Sequence, residues 1–299
     1  FIMTQEHAQY MQAQLKQIEA ALDQLAPQYE QAERQKHVVD AMRYALEAGG
    51  KRIRPFLVLE FCKLCGGTAE QAMAPACALE MIHTFSLIHD DLPAMDNDDY
   101  RRGKPSCHKA FGEATAILAG DGLSVHAVHT ILQDSTLKDA VKLQLVRVLM
   151  DATGYLGMIG GQVMDMENEQ RSDVQVEDLQ VMCAAKTGAL IRAACKMGCI
   201  AAGASEETIQ QADHYGACLG LAFQIVDDIL DVTSTTEVLG KPVGSDVAEH
   251  KQTFVTLLGI DAAREEANRL TQEAIEALQP FAEHAVLVDL TKELLERKK

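Results

Sequence analysis

The chain has 299 residues and a formal net charge of −17, from 27 Lys and Arg against 44 Asp and Glu. This acidic balance disfavours a nucleic-acid partner or an anionic membrane surface, because both are bound through an excess of basic residues. Hydrophobic residues make up 47% of the chain but aromatic residues only 5%, and Trp is absent. A core of aliphatic side chains favours helices over a β-sandwich.

The cysteine and hydropathy patterns predict a cytoplasmic protein. The eight Cys residues are irregularly spaced, which is typical of buried, reduced thiols. Cys62 and Cys65 have the spacing of half a zinc site, but no second ligand pair follows, so zinc is disfavoured. No apolar run approaches the ~18 residues of a membrane span, and no signal peptide opens the chain. Phe1 and Ile2, which precede Met3, look like a cloning remnant and are set aside.

Apolar residues recur at helical spacing from the start of the chain. They predict four helices before Pro93: from Met11 to Leu25, from Val38 to Leu46, from Pro55 to about Gly66, and from Glu70 to Leu92. No proline occurs between Pro105 and Pro242, and this stretch is predicted to form successive helices separated at Gly120, Gly154, Gly160–Gly161 and Gly203. No strand or repeat is evident. We therefore predict an all-α single domain over residues 3–299, a bundle of ten or more helices.

A first acidic cluster lies where the fourth predicted helix ends. Asp90 and Asp91 follow an apolar stretch, and Pro93 stops the helix, so that Asp96 can return towards Asp90. Carboxylates without His or Cys suit a hard divalent cation such as Mg²⁺. A solvated helix end is the alternative interpretation, because the polar residues 97–99 follow.

A second acidic cluster lies inside an apolar segment. Residues 219–232 are apolar apart from Gln224 and the carboxylates of Asp227, Asp228 and Asp231, so the segment is predicted to be a buried helix. Like charges at this spacing repel, and a buried unpaired carboxylate costs several kcal/mol. No Lys or Arg lies within a helical turn, so an external cation, usually Mg²⁺, is expected to neutralise the cluster.

The few basic residues gather beside glycines. Residues 49–55 contain Lys51, Arg52 and Arg54, residues 101–104 contain Arg101, Arg102 and Lys104, and single cations occur at Lys186, Lys241 and Lys251. Such a cluster by itself is usually a solvated surface. Together with the two carboxylate clusters, these residues predict a site that holds multiply charged phosphates, partly through Mg²⁺ and partly through Arg and Lys.

These motifs, in this order, resemble those of the trans-isoprenyl diphosphate synthases. The resemblance rests on the two aspartate motifs, on residues 49–55, and on Arg101-Arg102, Gly160-Gly161-Gln162-x2-Asp165, Lys186-Thr187, Phe223-Gln224 and Gly240-Lys241. It extends from about residue 38 to the end of the chain. The four-residue spacer before Asp96, together with Phe85, most resembles the bacterial type of farnesyl diphosphate synthase.

The resemblance implies an isoprenoid synthase fold, with helices around a central apolar cavity, and a homodimer. It implies an Mg²⁺-dependent prenyltransferase that condenses isopentenyl diphosphate with dimethylallyl diphosphate and then with geranyl diphosphate. The products would be (E,E)-farnesyl diphosphate and diphosphate; a geranylgeranyl or geranyl diphosphate synthase is the alternative. A terpene cyclase would need no second diphosphate site, and a non-catalytic partner subunit could lose an acidic motif, whereas both motifs are complete here.

The resemblance also implies roles for individual residues. More than one Mg²⁺ ion would be held by Asp90, Asp91, Asp96, Asp227, Asp228 and Asp231. The allylic substrate or its leaving diphosphate would be contacted by Arg101, Lys186, Thr187, Gln224, Lys241 and Lys251. Isopentenyl diphosphate would be bound by Lys51, Arg54, His83 and Arg102, with Arg297 as a further candidate; Gly50 and Gln162 belong to the substrate-binding set. The catalytic residues would be Asp90, Asp96, Arg101, Lys186, Asp227 and Lys241.

Product length is expected to depend on Phe85 and Ser86. Phe85 lies five residues before Asp90, about 7.5 Å along a helix axis, so a chain that grows from the aspartates must pass it. A bulky ring there would act as a floor, and the small Ser86 beside it would leave room for a second isoprene addition. The alternative is that Phe85 is ordinary core packing.

Overall fold

The computed structural model describes residues 3–233 and 251–296, and these are mostly helical. In chain order the helices are α1 (Gln5–Leu25), α2 (Lys36–Glu47), α3 (Ile53–Leu64), α4 (Ala69–Asp90), α5 (Cys107–Phe111), α6 (Glu113–Gln133), α7 (Asp139–Thr153), α8 (Met158–Glu169), α9 (Val176–Cys183), α10 (Ala189–Ala201), α11 (Glu206–Thr233), α12 (Phe254–Leu258), α13 (Ile260–Ala277) and α14 (Ala285–Leu295). A π-helical turn, Ala184–Gly188, joins α9 to α10, and β1 (Tyr100–Arg101) pairs antiparallel with β2 (Lys104–Pro105). The predicted all-α class with ten or more helices is confirmed.

The chain divides into two compact units. The N-terminal unit comprises Tyr10–Arg147 together with Ile200–Gly203, and the C-terminal unit comprises the described residues of Phe1–Gln9, Val148–Cys199 and Ala204–Lys299. The first acidic cluster and the basic residues around it lie in the N-terminal unit. The second acidic cluster lies in the C-terminal unit. A single domain over residues 3–299 stays a prediction.

The core of the N-terminal unit forms around α4, which packs against α3 and α6. Most side chains of α4 from Ala72 to Ile88 are buried, and Phe56 and Phe61 of α3 are fully buried. Burying a side chain such as Phe contributes ~1.5–3 kcal/mol relative to leaving it exposed. This packing fixes the position at which α4 ends, at Asp90.

Two of the predicted helix breaks are wrong, because those glycines lie inside helices. α6 continues through Gly120, where a Cβ atom would lie only 2.2 Å from Nε2 of His89 on α4, and α8 continues through Gly160–Gly161. At Gly120 the absence of a side chain lets α6 approach α4 closely, which is a packing role and not a helix stop. The breaks at Gly154 and Gly203 are confirmed.

The core of the C-terminal unit forms around α11, which packs against α13 and α14. Tyr215 of α11 is fully buried, and its hydroxyl is hydrogen-bonded to the hydroxyl of Thr291 on α14 (2.7 Å). The buried helix predicted over residues 219–232 is confirmed, and two of its carboxylates, Asp228 and Asp231, are buried with it. The fold therefore places acidic side chains within an apolar environment, as the sequence predicted.

The cysteines are free thiols, as predicted. All are buried except Cys65, which is partly exposed. In the described part of the chain, no third metal-binding side chain joins Cys62 and Cys65. None of the helices within residues 3–233 and 251–296 combines the length and the hydropathy that a membrane span requires. The cytoplasmic location stays a prediction.

Candidate active site

The first acidic cluster lies in a tight reversal of the chain after α4. The backbone N–H of Asp96 donates to the carbonyl oxygen of Asp90 (2.8 Å), and the N–H of Asp98 donates to the carbonyl oxygen of Asp91 (3.1 Å). The predicted return of Asp96 towards Asp90 is confirmed. Asp90 is half-buried and Asp96 is exposed.

An arginine binds the carboxylate of Asp91. Arg101 donates from Nε and Nη2 to the two carboxylate oxygens of Asp91, at 2.8 and 2.7 Å. Asp91 is only 1% exposed, and such a bidentate pair is among the strong charged contacts in proteins. Arg101, ten positions along the chain, thus balances the charge of Asp91, and the role of Asp91 as an Mg²⁺ ligand stays a prediction.

The hairpin of β1 and β2 positions a second arginine. Its two central residues, Arg102 and Gly103, have φ values of 52° and 77°, the left-handed conformation that a two-residue hairpin turn requires. The Arg102 guanidinium donates to the carbonyl oxygen of Gly49, and a Cβ atom on Gly50 would lie 2.8 Å from its Cζ. Any side chain at position 50 would displace Arg102, so the glycine brings the two basic segments of the sequence together.

Arg54 is a cation that lies beside a neutral histidine and interacts electrostatically with the carboxylate of Glu80. Its Nη1 lies 3.5 Å from Nε2 of His83, and its Nε is buried without a hydrogen-bond partner among the described residues. Burial, followed by the positive charges of Arg54 and Arg102, holds the pKa of His83 well below its usual value. His83 is therefore uncharged at neutral pH. An unsatisfied buried guanidinium N–H is costly, and an anionic oxygen would satisfy it.

Arg52, by contrast, is a structural residue. It is 4% exposed, its Nε donates to Glu19 (2.6 Å), and its Nη1 lies 3.8 Å from Glu80, which is also buried. Burial raises the pKa of Glu80, and the nearby arginines, Arg52 first, oppose that rise. The sequence grouped Arg52 with Lys51, which is exposed, but the fold gives the two neighbours different surroundings.

The two residues predicted to limit product length lie on α4. Phe85 is 8% exposed, and its ring packs edge-to-face on the ring of His89, with centroids 5.4 Å apart and an interplanar angle of 88°. The hydroxyl of Ser86 donates to the carbonyl oxygen of His83 (2.6 Å), a bond that holds the side chain against the helix. Phe85 is thus a fixed ring, one and a half turns before Asp90.

In the C-terminal unit, a carboxylate that the sequence did not assign to the site organises two lysines. Asp165 of α8 is 5% exposed and accepts from Nζ of Lys186 (2.6 Å), and Nζ of Lys251 lies 3.6 Å away. Lys186 belongs to the π-helical turn, which packs closely on α8: a Cβ atom on Gly161 would lie 2.2 Å from the backbone nitrogen of Lys186. The only sequence signal for Asp165 was its place in the motif that begins at Gly160.

In the second acidic cluster, protein donors bind both carboxylate oxygens of Asp228. Asp228 accepts from Nε2 of Gln224 (3.3 Å) and from the backbone N–H of Phe254 (3.0 Å), and it is 6% exposed. Asp231 is 1% exposed, whereas Asp227 is half-buried. An open cleft of about 450 Å³ is lined by Asp165, Lys186, Thr187, Gln224, Asp228 and Lys251, among others.

Three further residues were predicted to belong to the site. Gln162 is half-buried on α8. Lys241 and Arg297 lie outside the described residues. Each unit therefore combines carboxylates with Arg or Lys, the donor types that bind Mg²⁺ and phosphate oxygens.

Comparisons with known proteins agree with these features. The family model described as polyprenyl synthetase matches residues 35–294. A dimethylallyltranstransferase of Fischerella ambigua (strain UTEX 1903) is 46% identical over 259 residues, covering 86% of this chain and 75% of the relative. A geranylgeranyl diphosphate synthase of Cyanophora paradoxa is 45% identical over 250 residues, covering 83% of each chain. Several plant relatives of similar identity are also named geranylgeranyl pyrophosphate synthases.

A solved structure extends the likeness to the backbone. A geranyltransferase from Legionella pneumophila superposes with a TM-score of 0.86 at 38% sequence identity, covering 98% of both chains. Sequence identity at this level over nearly the whole length shows that the two chains share both the fold and the family.

Proposed function

The chain belongs to the polyprenyl synthetase family and is a prenyltransferase, and from that premise we propose its substrates: isopentenyl diphosphate as the acceptor, and dimethylallyl and then geranyl diphosphate as donors. The allylic C–O bond breaks and diphosphate leaves; the double bond of isopentenyl diphosphate attacks the resulting allylic cation. One proton is then lost, and the departing diphosphate accepts it. Because the diphosphate accepts the proton, the reaction needs no side-chain base. Apolar surroundings protect the cation from water.

The observation that carries this proposal is the basic group of the N-terminal unit. Arg54 has a buried N–H without a hydrogen-bond partner in the described ranges, neutral His83 lies beside it, and Arg102 is fixed over Gly50. Lys51 is exposed at the start of the same segment. These residues support a diphosphate site separate from the aspartates. A one-substrate terpene cyclase has no use for such a site.

Magnesium is the metal that the site residues fit best. All six predicted ligands are carboxylates, the donor type that Mg²⁺ prefers. We assign direct contact to Asp90, Asp96 and Asp227, which are half-buried or exposed. Bound Mg²⁺ would supply positive charge to the leaving diphosphate.

Two other aspartates act as positioning residues under this assignment. Asp91 fixes Arg101 through a bidentate pair, and Asp228 links Gln224 to the start of α12. Lys186 and Lys251, steadied by Asp165, supply further positive charge for the leaving diphosphate.

Farnesyl diphosphate is the product that we propose, because the Phe85 ring is fixed beside His89 near the end of α4. Geranylgeranyl diphosphate is the second candidate, since many of the similar relatives carry that name. The two candidates share every step of the chemistry and differ only in the number of additions.

The proposal is tested by supplying the substrates separately and together. Dimethylallyl diphosphate alone should yield no hydrocarbon, whereas adding isopentenyl diphosphate and Mg²⁺ should yield longer prenyl diphosphates. Asp90→Ala and Asp227→Ala should each lower turnover roughly 10²-fold, while Asp99→Ala, an exposed aspartate of the same loop, serves as the control. A cyclic hydrocarbon from one substrate, or full turnover in EDTA, would contradict it.

A further inference from the structure

Outside the motifs, helices α11 and α13 bring three metal-binding side chains to one point of the C-terminal unit. His214 and Cys218 lie four residues apart on α11, so they share a face, and Glu273 lies on α13. Nε2 of His214 is 3.2 Å from Oε1 of Glu273, and Sγ of Cys218 is 3.9 Å from the same nitrogen. In the described ranges this is the one group of three such ligand atoms within 4.8 Å of one another.

The spacing matches the edges of a small tetrahedron. Zinc binds imidazole nitrogen and carboxylate oxygen at ~2.0–2.2 Å and thiolate sulfur at ~2.3 Å, so tetrahedral ligand atoms lie about 3.4–3.6 Å apart. The observed separations bracket that range. Solvent reaches the point, because the side chains of His214 and Glu273 are 54% and 37% exposed. A water molecule can therefore take the fourth position.

We propose that His214, Cys218 and Glu273 form a Zn²⁺ site that clamps α11 to α13. The ligand set differs in kind from the aspartate clusters, because a thiolate and an imidazole select zinc and related transition metals over Mg²⁺. The site is also distant from the second acidic cluster: Asp227 lies nine residues beyond Cys218, about 13.5 Å along α11. Its role is to hold the helix that carries that cluster.

The surroundings orient one ligand in advance. Arg269 of α13 donates from Nη1 to Oε2 of Glu273 (2.9 Å). The other carboxylate oxygen of Glu273, Oε1, therefore faces His214. Hydrogen bonds of this kind to a ligating carboxylate fix its orientation and support metal affinity. The site thus contains a carboxylate whose orientation is already fixed, an exposed imidazole and a thiol.

The thiol makes binding depend on pH. Burial, and secondly the charge of Glu273, raises the pKa of Cys218 to about 11, and Arg269 opposes that rise. Because zinc binds the thiolate, binding displaces one proton from Cys218 at neutral pH.

Cobalt is the probe for this site, because a thiolate bound to Co²⁺ gives a charge-transfer absorption that carboxylates do not. The purified protein is titrated with Co²⁺ in the presence of excess Mg²⁺, so that Mg²⁺ competes with Co²⁺ for the aspartates of the two acidic clusters. One equivalent should produce the thiolate band, and Zn²⁺ should abolish it. Cys218→Ser should remove the band, His214→Ala should weaken Co²⁺ binding at least tenfold, and Cys65→Ser should leave it unchanged.

Thermal unfolding tests the clamp itself. Zinc at about 100 times its Kd should raise the Tm of the wild-type protein by about 5 °C and should not raise that of His214→Ala, an exposed substitution that leaves the core intact. Absence of the thiolate band in the wild-type protein would overturn the site. Its persistence in Cys218→Ser would do the same, since another cysteine would then be the ligand. An equal zinc-dependent rise in Tm in His214→Ala would overturn the clamp.

Discussion

Lys51, Arg52 and Arg54 lie side by side in the sequence, yet the fold gives each a different environment. Lys51 is exposed, Arg52 is paired with Glu19 near buried Glu80, and Arg54 lies beside His83. Among the described residues, both arginines keep one buried nitrogen without a hydrogen-bond partner. The sequence predicted that this segment binds an anion, which follows from its charge and its glycines. It could not predict that Arg52 is structural, because that depends on carboxylates contributed by α1 and α4.

This difference between neighbours can be measured. Arg52→Met should lower the free energy of unfolding by ~3–5 kcal/mol, because it leaves the buried carboxylate of Glu80 without its closest cation. Arg54→Met should instead raise the KM for isopentenyl diphosphate at least tenfold, the scale of a charged hydrogen bond. Denaturant unfolding and steady-state kinetics on both variants check the pair. Equal losses of stability, with unchanged KM values, would contradict the separate roles.

Substitutions at Phe85 and Ser86 test whether one aromatic ring limits the length of the product. If the ring limits the growing chain, Phe85→Ala should shift the product towards geranylgeranyl and longer diphosphates, and Ser86→Phe should stop synthesis at geranyl diphosphate. Chromatography of the dephosphorylated products measures the distribution. His89, which packs on Phe85, is left unchanged in both variants. An unaltered distribution in both would mean that Phe85 is core packing and that another residue sets the length.

At the scale of elements, hydrophobic periodicity predicted the helices well and glycine predicted their breaks only in part. α4 follows the predicted span closely, and α11 contains the predicted segment 219–232 but begins earlier, at Glu206. Gly120 and Gly160–Gly161 do not end helices. A glycine that ends a helix and a glycine that lets two backbones approach have the same local sequence signal, and only the packing partner separates them.

The hairpin is the element that the sequence missed. Its strands are two residues long, too short for an alternating pattern, yet the turn at Arg102 and Gly103 carries Arg101 back to Asp91. The ion pairs of the candidate site could not be predicted either, because each joins residues that are distant along the chain. The residue types and motifs could be read from the sequence, but their pairing could not.

Gly161 provides the test at this scale. Gly161→Ala would push a methyl group against the backbone of Lys186, so the π-helical turn must shift and the contact between Lys186 and Asp165 should be lost. We expect kcat to fall at least tenfold, while circular dichroism stays helical. Gly154→Ala is the control, since its added Cβ would meet only the Met150 carbonyl oxygen, at 3.2 Å, which a small shift relieves. Equal kcat values in the two variants would contradict this role of the turn.

At the scale of the whole molecule, we propose that the chain forms a homodimer through α6. Leu118, Val125 and Leu132 are 59%, 70% and 47% exposed, and their seven-residue spacing places them on nearly one face of the helix. An exposed apolar stripe of this length is typical of a protein–protein interface. A second copy of this chain is the partner that the family resemblance implies.

The oligomeric state follows from light scattering on a sizing column. Wild-type protein should elute as a dimer, and the double variant Leu118→Lys, Val125→Lys should elute as a monomer, because two lysines cannot be buried in an apolar contact without a large desolvation cost. Val181→Lys, on an exposed apolar position of α9, should remain dimeric. A monomeric wild-type protein, or a dimeric double variant, would contradict the assignment of the interface to α6.

The central claim is two successive additions of isopentenyl diphosphate to an allylic donor, and a time course with labelled isopentenyl diphosphate tests it most directly. Purified protein is mixed with dimethylallyl diphosphate and Mg²⁺, and products are extracted at intervals and separated by chain length. Labelled geranyl diphosphate should appear first and decline as farnesyl diphosphate accumulates, with one diphosphate released for each label incorporated. Accumulation of geranylgeranyl diphosphate as the main product, or no label in any prenyl diphosphate, would contradict the account.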